Sequence, residues 1–282
     1  MDATTAKMRA RMLATVRSVF DGMGFVEVET PVRIAAPAPE SHIDCPPVAT
    51  GGFLRASPEL QMKKILAAGL DKIYQIGPCF RDGERGSRHS PEFTMLEWYR
   101  RGGTWRDIAR DLEGLLATLG REFRRPGLAH PARRLTVRDA YLRFAGWDPF
   151  ADWDAERFDF DMATKVEPAL AAEDGIFLEG YPPQAASLAL VRGGVAERWE
   201  FYYRGLELAN CFTELCDPKE QAERFAAERA KRAALGEADY PEDPDFLDAI
   251  AAIGSAAGVA LGIDRLAMVL ADATDIGQVR FS

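Results

Sequence analysis

Lys72-Ile-Tyr-Gln-Ile-Gly-Pro-Cys-Phe80, Arg81-Asp-Gly-Glu-Arg-Gly-Ser-Arg-His-Ser90 and Glu92-Phe-Thr-Met-Leu-Glu-Trp-Tyr-Arg100 decide the fold. The outer stretches predict two β-strands, the second by its period-two pattern, and the polar stretch between them predicts the loop of a strand-loop-strand hairpin. That loop is too long for a tight turn. Carrying Arg81, Arg85, Arg88 and His89, it is of the kind that holds a ligand. On the second strand Phe93, Met95, Glu97 and Tyr99 share one face, and Thr94, Leu96 and Trp98 the other. Two readings of Glu97 stand side by side. It is an edge charge facing water, or its face lines a cleft in which Phe93 stacks on a purine while Glu97 and Tyr99 receive a cationic group.

Working outward, Met8, Met12, Val16, Val19, Phe20 and Met23 predict a helix over residues 4–23, stopped by Gly24. A period-two stretch, Phe25 to Pro31, follows as a strand that Pro31 ends or confines to an edge. Residues 35–52 are Ala-, Pro- and Gly-rich loop, after which Ser57-Pro58-Glu59 starts a helix to about Gly69. Thr104 caps a helix with Trp105, Ile108, Leu112, Leu115 and Leu119 on its core side. Residues 121–197 yield little beyond a capping box from Thr136 to Asp139 and a short helix over 155–171, because Pro182-Pro183 and Gly193-Gly194 interrupt the rest. Residues 198–204 and 206–215 form an antiparallel pair about Arg204-Gly205. Asp217-Pro218 and Asp243-Pro244 open two further helices, and a strand over 258–262 leads into a last helix near Asp264-Arg265. Hairpins with helices between them, no internal repeat and no shift in composition predict an antiparallel α+β fold rather than a doubly wound sheet.

The chain has 282 residues, 47% hydrophobic and 28% charged, which describes a soluble globular protein with a large core. Its 35 Lys+Arg against 44 Asp+Glu leave a net charge of -9, which disfavours general binding to nucleic acid. Four scattered cysteines, Cys45, Cys79, Cys211 and Cys216, make no disulfide framework and no metal-ligand spacing. With no charged-then-apolar leader and no run of 18 apolar residues, the cytoplasm is the expected compartment and no membrane is involved.

Two further constellations carry chemistry. If the turn lies near Tyr203-Arg204, Glu200 and Glu207 sit roughly opposite each other. Like charges so placed destabilise a sheet unless a cation lies between them. Mg²⁺ is commonly held by two carboxylates with substrate phosphates; two solvated glutamates in a slightly different register are the equal alternative. Gly258-Val-Ala-Leu-Gly262 followed by Asp264-Arg265 is either a buried glycine-bearing strand or a place where a polyphosphate approaches a helix start that carries an arginine. Neither the Gly-x4-Gly-Lys-Ser/Thr loop nor Gly-x-Gly-x-x-Gly occurs, so a nucleotide would be held by other means.

Gly24-Phe-Val-Glu-Val-Glu-Thr-Pro31; Phe80-Arg81 with His89-Ser-Pro-Glu-Phe-Thr-Met-Leu-Glu-Trp-Tyr99; Glu207-Leu-Ala-Asn210 with Phe212 and Glu214; and Gly258-Val-Ala-Leu-Gly-Ile-Asp-Arg265 resemble, in order, the three signatures of class II aminoacyl-tRNA synthetases in their lysyl form. The resemblance spans nearly the whole chain and implies a single catalytic domain over 1–282, an antiparallel sheet flanked by helices. Within that superfamily the chain is most similar to the lysyl-tRNA synthetase paralogues that modify translation elongation factor P. The first signature begins too early for a preceding anticodon-reading OB-fold of on the order of 100 residues. The wording Thr94-Met-Leu-Glu-Trp-Tyr-Arg100 is similar to theirs, and Ala260 stands where lysyl-tRNA synthetases have Gly.

Carried over position by position, the family's substrate contacts fall on Ser57, Pro58, Glu59, Tyr99 and Glu207, with Glu97 in the amino-group pocket and Ala260 reshaping it towards (R)-β-lysine. ATP contacts fall on Arg81, Asp82, Gly83, Ser90, Glu200, Phe201 and Gly262. Phe93 would stack the adenine, His89 would lie by the phosphates, and Arg81 and Arg265 would stabilise charge in the reaction. Mg²⁺ would sit near Glu200 and Glu207. Two departures stand out: Gly83 replaces the acid of the usual Arg-x-Glu, leaving Glu84 or a backbone carbonyl to meet the adenine, and Ser90 replaces an Asn. The resemblance implies ATP-dependent formation of an aminoacyl-adenylate from (R)-β-lysine or lysine. Transfer to a lysine of elongation factor P follows, in a homodimer joined through the first helix and Pro31. A stand-alone core that charges tRNA and a catalytically idle regulatory paralogue are the alternatives.

Overall fold

In a computed structural model, which describes residues 2–281, the Asp2 side chain accepts a hydrogen bond from the Thr5 amide and so caps helix α1 (Ala3–Gly22). Its apolar stripe buries Met12, Val16 and Phe20, and Gly24, at φ +75°, turns the chain out of the helix. Strand β1 (Val26–Glu27) is shorter than the sequence suggests. The carbonyls of Thr30 and Pro31 are taken by the buried Arg55 guanidinium instead of a ladder. β2 (Arg33–Ile34) pairs with β3 (Phe53–Leu54), and α2 (Glu59–Ala67) leads to β4 (Lys72–Phe80) and β5 (Glu92–Arg101). The last two form the expected hairpin, in register from Lys72↔Arg100 to Phe80↔Glu92. Phe20 of α1 stacks on Tyr74 at 4.7 Å and meets Trp98 edge-on at 5.1 Å, so α1 covers one face of the hairpin. The other face, which carries Tyr99, packs on Leu60 and Leu66 of α2.

Helix α3 (Trp105–Glu122) starts at a capping box of Thr104 with Asp107 and buries Ile108, Leu112, Leu115 and Leu119, as its stripe predicts. Then come α4 (Pro126–Ala129), β6 (Arg133–Thr136) and α5 (Val137–Ala140), with Thr136 capping through the Asp139 amide. The expected helix over 155–171 is present as α6 (Ala155–Asp161), a wider turn at Met162–Val166 and α7 (Glu167–Ala169). The strands β7 (Ile176–Tyr181) and β8 (Val191–Arg192) escaped the sequence reading. β7 is almost wholly buried and so lacks alternation. Gly193 and Gly194, both at positive φ, are the two-residue turn that joins β8 to β9 (Val195–Tyr203), so the apparent interruption is the hairpin itself. Arg204-Gly205 turns β9 into β10 (Leu206–Thr213) in the same way.

Helix α8 (Pro218–Leu235) is capped by Asp217 and ended by Gly236 at φ +73°; α9 (Pro244–Ile253), β11 (Ala256–Gly262) and α10 (Ile263–Ala271) follow. The chain divides into two compact units. One holds the N-terminal stretch through Gly102, Leu215–Ala256 and the chain from Leu261 onward; the other holds Gly103–Glu214 with Ala257–Ala260. In the first unit β1, β4 and β5 are neighbours in that order, and in the second β10, β9, β7 and β6, with β8 beside β9. The α+β class is as expected, but the sheet is mixed. β1/β4 and β6/β7 are parallel, while β4/β5, β7/β9, β8/β9 and β9/β10 are antiparallel. Parallel neighbours need a crossover, which α2 with its preceding loop supplies between β1 and β4. All four cysteines are free thiols. Among the described residues no helix is long and apolar enough to cross a membrane.

Candidate active site

Glu97 lies on β5 opposite Gln75 and is 1% exposed, so it is no edge charge facing water. Ser57 Oγ donates to its Oε1 at 2.6 Å and Tyr99 OH to its Oε2 at 2.8 Å. The same Ser57 Oγ accepts from the Glu59 amide at 2.9 Å, so Ser57 rather than Pro58 caps α2 by side chain, and Pro58 sets the turn before it. Glu59 Oε1 in turn holds Lys63 Nζ at 2.6 Å. The structure therefore brings Ser57 and Glu59 to Glu97 and Tyr99, two pairs separated by 40 residues in sequence. Burial, with the charge of Glu59 added, pushes the Glu97 carboxyl up to about 7. Such an acid ionises fully once an ammonium group reaches it. Ser57 and Glu59 also line a recess with Cys45, Ala56, Leu60 and Ile43.

In the loop between β4 and β5, the Arg81 guanidinium lies 5.3 Å from the Phe93 ring centroid and its Nη1 is 3.5 Å from Glu84 Oε1. Glu84 is thus engaged by Arg81, and the place of the usual acid is Gly83, at φ +77° with open space around it. Exposed Asp82 donates its amide to the Asp44 carbonyl at 2.7 Å, which anchors the loop, and Ser90 lies half-buried at the other end. His89 Nε2 is 2.8 Å from Arg265 Nη2. Burial and then the Arg265 charge push the His89 imidazole below its ordinary range, so it is neutral at pH 7. Gly262 packs under the stem of Arg265, whose side-chain carbons would lie 3.6 to 3.8 Å from an added Cβ. Asp264 has a different task. Buried, it accepts from the Thr94 amide at 2.7 Å and pairs with Arg9 at 2.6 Å and Arg280 at 2.7 Å. Arg9 and Arg280 were not foreseen.

In the second unit the register corrects the carboxylate pair. The turn at Arg204-Gly205 sets Glu207 opposite Tyr202, and after a bulge Asn210, not Glu207, lies opposite Glu200. Glu200, Tyr202 and Glu207 still share one face of β9 and β10. The cation beside Glu200 is Arg198, 2.5 Å from Oε1, while Tyr202 OH donates to Oε2 at 2.6 Å. Arg198 also donates to the Ala185 carbonyl at 2.9 Å and lies 4.2 Å over the Tyr181 ring. Sequence reasoning missed Arg198, Tyr202 and Tyr181. The same period-two logic applied to β9 would have put Arg198 and Tyr202 beside Glu200. Phe201 points the other way, 2% exposed and 5.0 Å from Phe177, so its ring belongs to the core. Ala260 lies half-buried on β11, two residues from Gly258 and Gly262 on the same small-residue face.

Among the described residues no group of three or more His, Cys, Asp or Glu could hold a metal. Two carboxylates on one face nevertheless suit Mg²⁺, which takes one or two protein carboxylates and completes its shell with phosphate oxygens and water.

A family model described as tRNA synthetases class II (D, K and N) matches residues 2–281. Similar proteins include the elongation factor P--(R)-beta-lysine ligases of Salmonella typhi, 35% identical, Proteus mirabilis (strain HI4320), 34% identical, and Photorhabdus laumondii, 36% identical. In each, the match covers 96% of this chain and 92% of the relative.

Proposed function

The chain belongs to the class II tRNA synthetases of the D, K and N group, and from that membership we propose that it is an ATP-dependent amino acid ligase acting on elongation factor P. Its amino acid is (R)-β-lysine or lysine. The observation that carries this reading is the buried Glu97, bonded by Ser57 and Tyr99 beside Glu59, a set of acceptors built for the ammonium groups of a diamino acid. Relatives named for (R)-β-lysine and elongation factor P support the choice of amino acid and acceptor.

In the first step a carboxylate oxygen of the amino acid attacks the α-phosphorus of ATP, the bond to the β-phosphate oxygen breaks, and pyrophosphate leaves an aminoacyl-adenylate. Arg81 and Arg265 neutralise charge on the phosphates, neutral His89 lies by them, and Phe93 stacks the adenine. Asp82, Gly83 and Ser90 hold the nucleotide from the loop, and Gly262 from the start of α10. Phe201 and Ala260 are assigned to ATP and to the amino acid by the family resemblance. Glu200 and Glu207 fit Mg²⁺, which would supply neutralisation of the phosphate charge. In the second step the ε-amino nitrogen of a lysine on elongation factor P attacks the acyl carbon, AMP leaves and an amide forms with loss of a proton. These residues orient and neutralise; no protein nucleophile is needed. We assign the protein to the cytoplasm as a homodimer joined through α1 and Pro31, with a protein rather than tRNA as acceptor.

Pyrophosphate exchange with (R)-β-lysine and lysine, followed by transfer of the labelled amino acid to elongation factor P or to tRNA, tests the reading. Exchange with either amino acid and label only on elongation factor P are expected. Label on tRNA would make the chain a lysyl-tRNA synthetase core, and no exchange with either would make it an idle paralogue.

A further inference from the structure

Lys63 has a side chain only 1% exposed. Burying an ammonium costs several kcal/mol unless a partner offsets it, and here Nζ lies 2.6 Å from Glu59 Oε1, one turn earlier on α2. Glu59 is bound in turn to the rest of the site. Its amide is held by Ser57 Oγ at 2.9 Å, and that hydroxyl donates to Glu97 at 2.6 Å. After burial, the charge of Glu59 is the largest influence holding the proton on Glu97. The other groups acting on Glu97 are the hydroxyls of Ser57 and Tyr99, the Arg55 guanidinium and the Cys79 thiol.

We propose that Lys63 is a positioning residue of the amino-acid site: it fixes Glu59 and supplies its counter-charge, so that Glu59 and Glu97 both meet the substrate as carboxylates and select an amino acid with two ammonium groups. Without that cation, two like charges in a buried site share a proton, and one ammonium partner is lost. The inference rests on the assignment of Ser57, Glu59, Glu97 and Tyr99 to amino-acid binding.

Calorimetric titration of the protein with lysine and with norleucine, its single-ammonium analogue, between pH 6 and 8.5 provides the test. In the wild type, lysine affinity rises with pH about a midpoint near 7, where Glu97 loses its proton. In Lys63→Met the midpoint moves up by about one unit, which weakens lysine binding about tenfold at pH 7, and the preference for lysine over norleucine falls while ATP affinity is unchanged. An unchanged midpoint and an unchanged lysine-to-norleucine ratio would overturn the proposal. The double variant Lys63→Met/Glu59→Gln replaces both members of this ion pair together. It keeps the question open to measurement should the single variant not fold. Its midpoint is expected below that of the wild type, because the repulsion from Glu59 is gone; a midpoint equal to the wild type's overturns the proposal as well. If the wild type binds neither lysine nor (R)-β-lysine at any pH, the assignment of the amino acid itself fails and the role of Lys63 with it.

Discussion

Glu97 illustrates at the scale of one residue what a strand pattern can and cannot reveal. Period two on β5 placed it with Phe93 and Tyr99, and that much was legible. Its partner Ser57 and neighbour Glu59 lie on a different element and became partners only through the fold. The cost of this arrangement can be measured. Its proton is held to about 7 against an ordinary 4.5, so between those values the native state keeps a proton that the unfolded chain has lost. Stability from this group is therefore fully present below pH 4.5 and declines as pH rises through 7, by about 3 kcal/mol in all. Glu97→Gln carries no such titration. In urea melts of the ligand-free protein, its stability relative to wild type should improve from pH 5 to pH 8. A difference that does not change with pH would contradict the assignment of a raised proton affinity to Glu97. The same reasoning applies at Glu200: a buried carboxylate needs a nearby cation, and Arg198 on the same strand is one that the sequence reading did not name.

At the scale of elements, turns explain most of the difference between sequence and structure. In the sequence Gly193-Gly194 reads as a break, yet it closes a hairpin, and the buried run of β7 offers no alternation to detect. Long-range clamps were also invisible. Arg232 on α8 is buried, donates to the carbonyls of Glu40, Ile43 and Ala238, pairs with Asp44 at 2.8 Å and lies 4.4 Å from the Tyr240 ring. The Asp44 carbonyl then holds the Asp82 amide at 2.7 Å, beside Arg81. A helix remote in sequence thus fixes the loop assigned to ATP. Arg232→Met should lower stability by about 1–3 kcal/mol, because it leaves the carbonyls of Glu40, Ile43 and Ala238 without their donor. It should also raise the KM for ATP several-fold in pyrophosphate exchange while leaving the KM for the amino acid near that of the wild type. Equal changes in both constants would indicate general loosening rather than a clamp on the loop.

At the scale of the molecule, the class II signatures were readable because each is a short stretch whose residue types are fixed by chemistry, while the division into units was not, because it follows from strands brought together across the chain. The first unit takes residues from three separate segments. Its core cluster shows why no one segment suffices: Leu60, Leu66, Ile73 and Tyr99 are buried against Phe246, Ile250 and Ile253 of α9. Asp264 likewise binds Arg9, at the other end of the chain. A fragment of residues 1–102 keeps α1, α2 and the β4–β5 hairpin but loses α9 and Asp264. It would expose several large apolar side chains, each worth about 2 kcal/mol when buried. That loss is large against a typical domain stability of roughly 5–15 kcal/mol. The fragment should show no cooperative thermal transition by circular dichroism, and adding residues 215–282 as a separate chain should restore one. A cooperative transition in the fragment alone would mean that the hairpin and its two helices hold a self-sufficient core, and that α9 only decorates it.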